Sequence, residues 1–118
     1  MTPGERSDLV NTLPGTTEEQ PFGPDVDVFE VGGKIFALLS PGASGSASLK
    51  CDPQWAIDQS GRYGAVTPGY HLSNRHWNTV MLDGRVPDQM LESMVVHSYD
   101  RVVAGRLQAL RRRWVRPI

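Results

Sequence analysis

From Leu91 onward the apolar residues Leu91, Val95, Tyr99, Val102, Val103, Leu107, Leu110 and Trp114 recur at spacings of three and four, the period of one face of an α-helix. The element this predicts opens at Val86 and Pro87, covers a sheet with residues 87–104, and meets Gly105 as an end or a kink. A different period appears earlier. Val26-Asp27-Val28-Phe29-Glu30-Val31 alternates over part of its length, Gly32-Gly33 follows, and Lys34-Ile35-Phe36-Ala37-Leu38-Leu39 is β-rich again. Two such runs joined by Gly-Gly predict a hairpin. Its strands are expected in a mostly antiparallel sheet whose far face is more open than the face under the helix.

The remaining elements are shorter. Thr2, Pro3 and Glu5 have the form of a capping box with proline at the first helical position. The helix they open carries Leu9, Val10 and Leu13 and stops at Pro14-Gly15. Turn residues dominate Thr16 to Pro24, where Phe22 anchors a loop or a short edge strand. A strand is expected at Ala47–Cys51, after a Gly/Ser/Ala tip at 41–46. Asp52 then caps a helix from Pro53 to about Ser60, closed by Gly61. Ala65-Val66 leads through a Pro-Gly turn to a strand at Trp77–Leu82, ended by Asp83-Gly84. The order α-β(3)-α-β(2)-α is that of an α+β two-layer sandwich with the helices on one face.

At 118 residues the chain fits one domain with one core, spanning 1–118 and ending in a basic helical extension at about 105–118. Nine prolines and twelve glycines argue against a long helical bundle. No apolar run approaches the roughly 20 residues that cross a bilayer, and Met1-Thr2-Pro3-Gly4-Glu5 lacks the features of a signal peptide, so a cytoplasmic protein without a membrane partner is expected. The single cysteine, Cys51, has no internal partner, in keeping with a reducing compartment. The net charge of −1 conceals an asymmetry: residues 1–60 hold nine acids and three bases, residues 61–118 four acids and nine bases. A basic half attracts phosphates even in a nearly neutral molecule.

The segments PFGPDVDVFEVGGKIFALL (Pro21 to Leu39), SLKCDP (Ser48 to Pro53), TPGYHLSNRHWNTVMLDG (Thr67 to Gly84) and VPDQMLESMVVHSYDRVV after them resemble the YjbR/MmcQ family of small bacterial proteins. The resemblance runs from about Leu13 to Leu107, and the TPGYH…HWNT signature is its most specific part. It implies the same α-β(3)-α-β(2)-α order, likened to the CyaY-like (frataxin-like) fold, and a DNA-binding role. A fold label does not by itself establish function.

The run Thr67 to Thr79 gathers two histidines, an arginine, two amides, a tyrosine and a tryptophan around one Pro-Gly turn, more polar and stacking groups than a connection requires. Lys34, Lys50 and Arg75 suit phosphate, Tyr70 and Trp77 offer stacking faces, and Asn74 and Asn78 offer donors and acceptors, with His71 and His76 organising the turn or touching the ligand. The plain alternative is a Trp77 packed in the core and an Arg75 that solvates a turn. Arg111, Arg112 and Arg113 place three charges around one helical turn with no acid nearby; they either complement the helix dipole or meet an external anion.

His71, His76, Cys51 and His97 match no compact metal motif, so no metal is expected, and His97 reads as a boundary residue. Cys51, Ser73, His71, His76 and Tyr70 are the conceivable catalytic groups, but no GxSxG elbow, phosphate loop or dinucleotide fingerprint accompanies them, and neither catalysis nor a cofactor is expected. Cys51, two residues after Leu49, reads as a small core residue. The sequence points to a binding protein, with DNA first and a small anionic ligand or a protein partner as the alternative.

Overall fold

The computed structural model describes residues 3–40, 45–68 and 76–114, with 108–114 as helical backbone. The elements are α1 (Pro3–Asn11), β1 (Thr16–Glu19), β2 (Asp27–Val31), β3 (Lys34–Ser40), β4 (Ser46–Lys50), α2 (Pro53–Arg62), β5 (Val66–Pro68), β6 (Trp77–Met81) and α3 (Asp88–Trp114). All neighbouring strands are antiparallel, in the order β1-β2-β3-β4-β6-β5. The α+β order is the one expected, with a fourth strand before α2.

That extra strand is β1, pairing Thr16 with Val31 and Glu19 with Val28. Its sequence, Thr-Thr-Glu-Glu, has no apolar alternation, and the two carboxylates suit a sheet edge that must not recruit another chain. Phe22 is not an anchor: it is 72% exposed. Asn11 instead ties α1 to this edge, donating to Glu18 Oε1 at 2.9 Å. Gly61 does not close α2 either, since the helix runs on to Arg62 and is capped by Tyr63, whose N–H donates to the Gln59 carbonyl. Glycine inside a helix costs only about 1 kcal/mol, and the packing of Trp55 and Ala56 outweighs it. Likewise α3 continues through Gly105 to Trp114.

Cross-strand partners share a face, so the ladder pairs Phe29–Ala37, Leu39–Ala47 and Ala47–Val80 define one apolar surface. Val10 of α1 and Leu91, Met94, Val95 and Val102 of α3 join it in a single core, with Trp55 of α2 packed against it. The other face carries the row Val28, Leu38, Ser48, Thr79 and Thr67, of which Val28 is fully buried and the other four are not.

Phe36 is the extra residue of a bulge: Phe29 pairs with Ala37 and Glu30 with Ile35, leaving Phe36 without a partner in β2. Its ring is fully buried and meets Tyr99 of α3 edge-on, centroids 5.4 Å apart. The β3–β4 ladder ends beside it, at Ala37–Leu49. Ser98 of α3 completes the missing rung, its Oγ accepting from Lys50 N–H at 2.8 Å and donating to the Phe36 carbonyl. Ser98→Ala strands a buried donor and a buried acceptor, so it should lower stability by about 2 kcal/mol in urea unfolding. A loss below about 0.5 kcal/mol, the range of surface substitutions, would show that this hydroxyl does not join the sheet to the helix.

Candidate functional site

The turn between β2 and β3 has positive φ at both central residues, +59° at Gly32 and +78° at Gly33, as a two-residue hairpin of this hand requires. Gly32 also lies against α3: a Cβ there would meet Arg106 Cγ at 3.6 Å, ordinary van der Waals contact. The turn therefore sets Lys34 against the second half of α3. Lys34, Ile35, Lys50, Arg101, Val102 and Arg106 line a groove of about 260 Å³ at this point. Four cationic residues and no carboxylate border it.

Lys34 and Lys50, both candidates from the sequence, thus line one groove. Arg101 and Arg106 are additions to the site. They bracket the inward-facing Val102 on α3, and that arrangement is the signal that could have found them. Arg101 lies 3.9 Å from the Asp52 carboxylate across an exposed surface, a pair worth little in solvent. Arg101 therefore remains available to an anion.

Asp52 belongs to a second, structural cluster. Its carboxylate accepts from the N–H groups of Gln54 and Trp55 and caps α2. Its own N–H donates to His97 Nε2 at 3.1 Å, and the His97 ring lies 4.0 Å from that of Trp55. His97 is therefore a joint between α3 and the start of α2, not merely a boundary residue. An acceptor nitrogen must be unprotonated, and burial, then Arg101, holds the His97 pKa below its ordinary value. Because the folded state disfavours the protonated ring, this contribution to stability is complete above about pH 6.5 and is lost as pH falls through the depressed folded value. The melting temperature should drop on acidification from pH 7.5 to 5, and it should drop less in His97→Gln. Equal slopes in the two proteins would remove His97 as the cause.

Cys51 is buried, and desolvation raises its pKa to about 11, so at neutral pH it is a protonated core thiol rather than a nucleophile. The space beside it, lined by Trp55, Gln59, Asn78 and Met94 among others, is about 10 Å³, room for no more than one water. Asn78 is buried and donates to the Ala56 carbonyl at 3.5 Å; it holds α2 and is not offered to a ligand. Among the described residues no group of three His, Cys, Asp or Glu side chains could hold a metal.

Of the central run, Tyr70, His71, Ser73, Asn74 and Arg75 lie outside the described residues. His76 accepts the Cys51 N–H on its backbone carbonyl at 2.7 Å, with its side chain half-buried. Trp77 is also half-buried, opposite Lys50 in the β4–β6 ladder. Arg111, Arg112 and Arg113 lie on the helical backbone of α3, a turn and more beyond Arg106.

The family model for YjbR matches residues 11–101. The chain belongs to the YjbR family. It is 37% identical to the uncharacterised protein YbdF of Escherichia coli O157:H7 over 82% of this chain and 80% of that one. It is 38% identical to the uncharacterised protein YjbR of Escherichia coli K12, over 58% and 59% of the two chains. Among solved structures, Deinococcus radiodurans protein DR2400 superposes with a TM-score of 0.75 at 33% identity, over 83% of this chain and 75% of that chain. A Pseudomonas syringae protein superposes with a TM-score of 0.72 at 24% identity, over 83% and 96%, a likeness of fold alone. The match ends at residue 101, so Arg106 and the terminal arginines lie beyond it. No helix among the described residues is long and apolar enough to cross a membrane.

Proposed function

We propose that this YjbR-family protein is a non-enzymatic, cytoplasmic binding protein whose ligand is DNA, held through its phosphates. The observation that carries the reading is the groove bordered by Lys34, Lys50, Arg101 and Arg106 without a carboxylate in its lining. Cations held in a concave site against low-dielectric walls focus their field on an anion. Arg111, Arg112 and Arg113 extend that charge along α3, where they would meet backbone phosphates and carry no sequence information. Tyr70, His71, Asn74, Arg75, His76 and Trp77 are the groups proposed to approach bases, so changes there should alter preference among sequences. The second reading, a small anionic ligand, is favoured by the size of the groove, about 260 Å³, close to the lower end of ligand pockets.

Fluorescence anisotropy separates them. Phosphate contacts make log Kobs fall with log salt by about 0.9 per phosphate neutralised on duplex DNA. Binding at about 50 mM salt that weakens steeply by 200 mM is the expected result. No binding to mixed duplex or single-stranded DNA at tens of micromolar protein would end the DNA reading, and titration with inorganic phosphate would then test the smaller ligand. Reproducible hydrolysis of a generic ester or phosphate, abolished by His71→Ala or His76→Ala, would instead make the protein an enzyme.

A further inference from the structure

The inward face of α3 is formed by Leu91, Met94, Val95, Ser98 and Val102. At 100° per residue, a second apolar stripe lies about 130° around the same helix. It consists of Val96, Val103, Leu107 and, by position on the helical backbone, residues 110 and 114, which are Leu and Trp. The spacings of seven, four, three and four are those of a coiled-coil seam. Val96 is 36% exposed and Leu107 49% exposed, while Val103 between them is half-buried, so the fold leaves Val96 and Leu107 of this stripe uncovered. Past Arg106, which lies over the Gly32 turn, α3 runs on to Trp114. A helix carrying an uncovered apolar seam calls for a second helix.

Charge identifies that helix. The first half of α3 carries Glu92 and Asp100 beside the seam, and with Trp55 and Val96 they border an open groove between α2 and α3. The last part of α3 carries Arg106, Arg111, Arg112 and Arg113. The protein's own basic end cannot reach its acidic groove while α3 stays helical, because residues 100 and 111 are about 16 Å apart along one axis. A second copy turned end for end meets both requirements. We infer that the protein forms a two-fold dimer in which two α3 helices pair antiparallel, residues 89–100 of each copy lying against residues 103–114 of the other. This isologous contact sets the acidic half of each seam against the basic half of its mate and brings Val96 of one copy level with Leu107 of the other. A parallel pair would set arginine against arginine. The inference stands independently of the ligand in the groove of Lys34 and Arg106.

Sedimentation equilibrium and crosslinking test it. The wild-type protein should be dimeric at about 100 μM, where even an interface of micromolar Kd is filled. Leu107→Glu should raise the dimer dissociation constant at least tenfold with unchanged circular dichroism. Glu92→Arg should weaken the dimer and a mixture of Glu92→Arg with Arg111→Glu/Arg113→Glu should restore it as a heterodimer. With Cys51 buried, introduced thiols report direction: neither Val96→Cys nor Leu107→Cys alone should crosslink, and their equimolar mixture should. A folded wild-type monomer at about 100 μM, an unaffected Leu107→Glu dimer, or self-crosslinking of each single-thiol variant would overturn the antiparallel dimer.

Discussion

Phe36→Ala should cost about 3–5 kcal/mol, the usual loss for a buried phenylalanine, against a total stability of roughly 5–15 kcal/mol for a domain. The ring is fully buried at the bulge of β3 and meets Tyr99 edge-on; aromatic pairs of this geometry add about 0.5–1.5 kcal/mol to area burial. Tyr99 in turn donates to the Pro14 carbonyl, so the loss spreads from β3 through α3 to the end of α1. The urea midpoint should fall by roughly 1.5–3 M at the slopes usual for small proteins. Phe22→Ala is the matched control, since that ring is 72% exposed and should change stability by less than about 0.5 kcal/mol. Similar costs for the two substitutions would mean that the core is not centred on the contact between β3 and α3.

Strong local chemistry made much of this fold legible. Gly32-Gly33 between two β-rich runs announces a hairpin because few residues other than glycine tolerate positive φ twice in succession. Asp52 before Pro53 announces α2 because the carboxylate has two free N–H groups to accept. The inward stripe of α3 announces its period. Elements that draw stability from neighbours were harder to see. Edge strand β1 has no periodicity of its own and forms because β2 offers it a ladder. Gly61 reads as a stop when α2 is considered alone, whereas the packing of Trp55 and Ala56 carries the helix past it.

The candidate site divides along the same line. Lys34 and Lys50 could be named because they flank predicted strands, but Arg101 and Arg106 join them only when α3 crosses the hairpin turn. His97 acquires its role from a backbone N–H 45 residues away in sequence, a relationship that no local spacing encodes. The apolar positions of α3 form a single list in sequence. In three dimensions they separate into an inward stripe and an outward one, and the second carries a different consequence.

Lys34→Glu combined with Arg106→Glu should reduce affinity for duplex DNA by at least about 200-fold at 50 mM salt. Counterion release with a slope near −0.9 per contact is worth about 15-fold per phosphate at this concentration, relative to 1 M salt where it vanishes. Two lost contacts multiply to about 200-fold, and the reversed charges add repulsion to the anionic lattice. The salt slope should flatten by about 2 for the same reason. Stability should hardly change, since Lys34 and Arg106 are both exposed and substitutions at such positions stay within about 0.5 kcal/mol. Neutralising Arg111, Arg112 and Arg113 should weaken binding evenly across sequences, whereas changes at Asn74 or Arg75 should redistribute it. If the Lys34 and Arg106 double variant keeps wild-type affinity and slope while remaining folded, the groove does not hold DNA, and any DNA binding must run through the terminal arginines and the turn of Asn74 and Arg75.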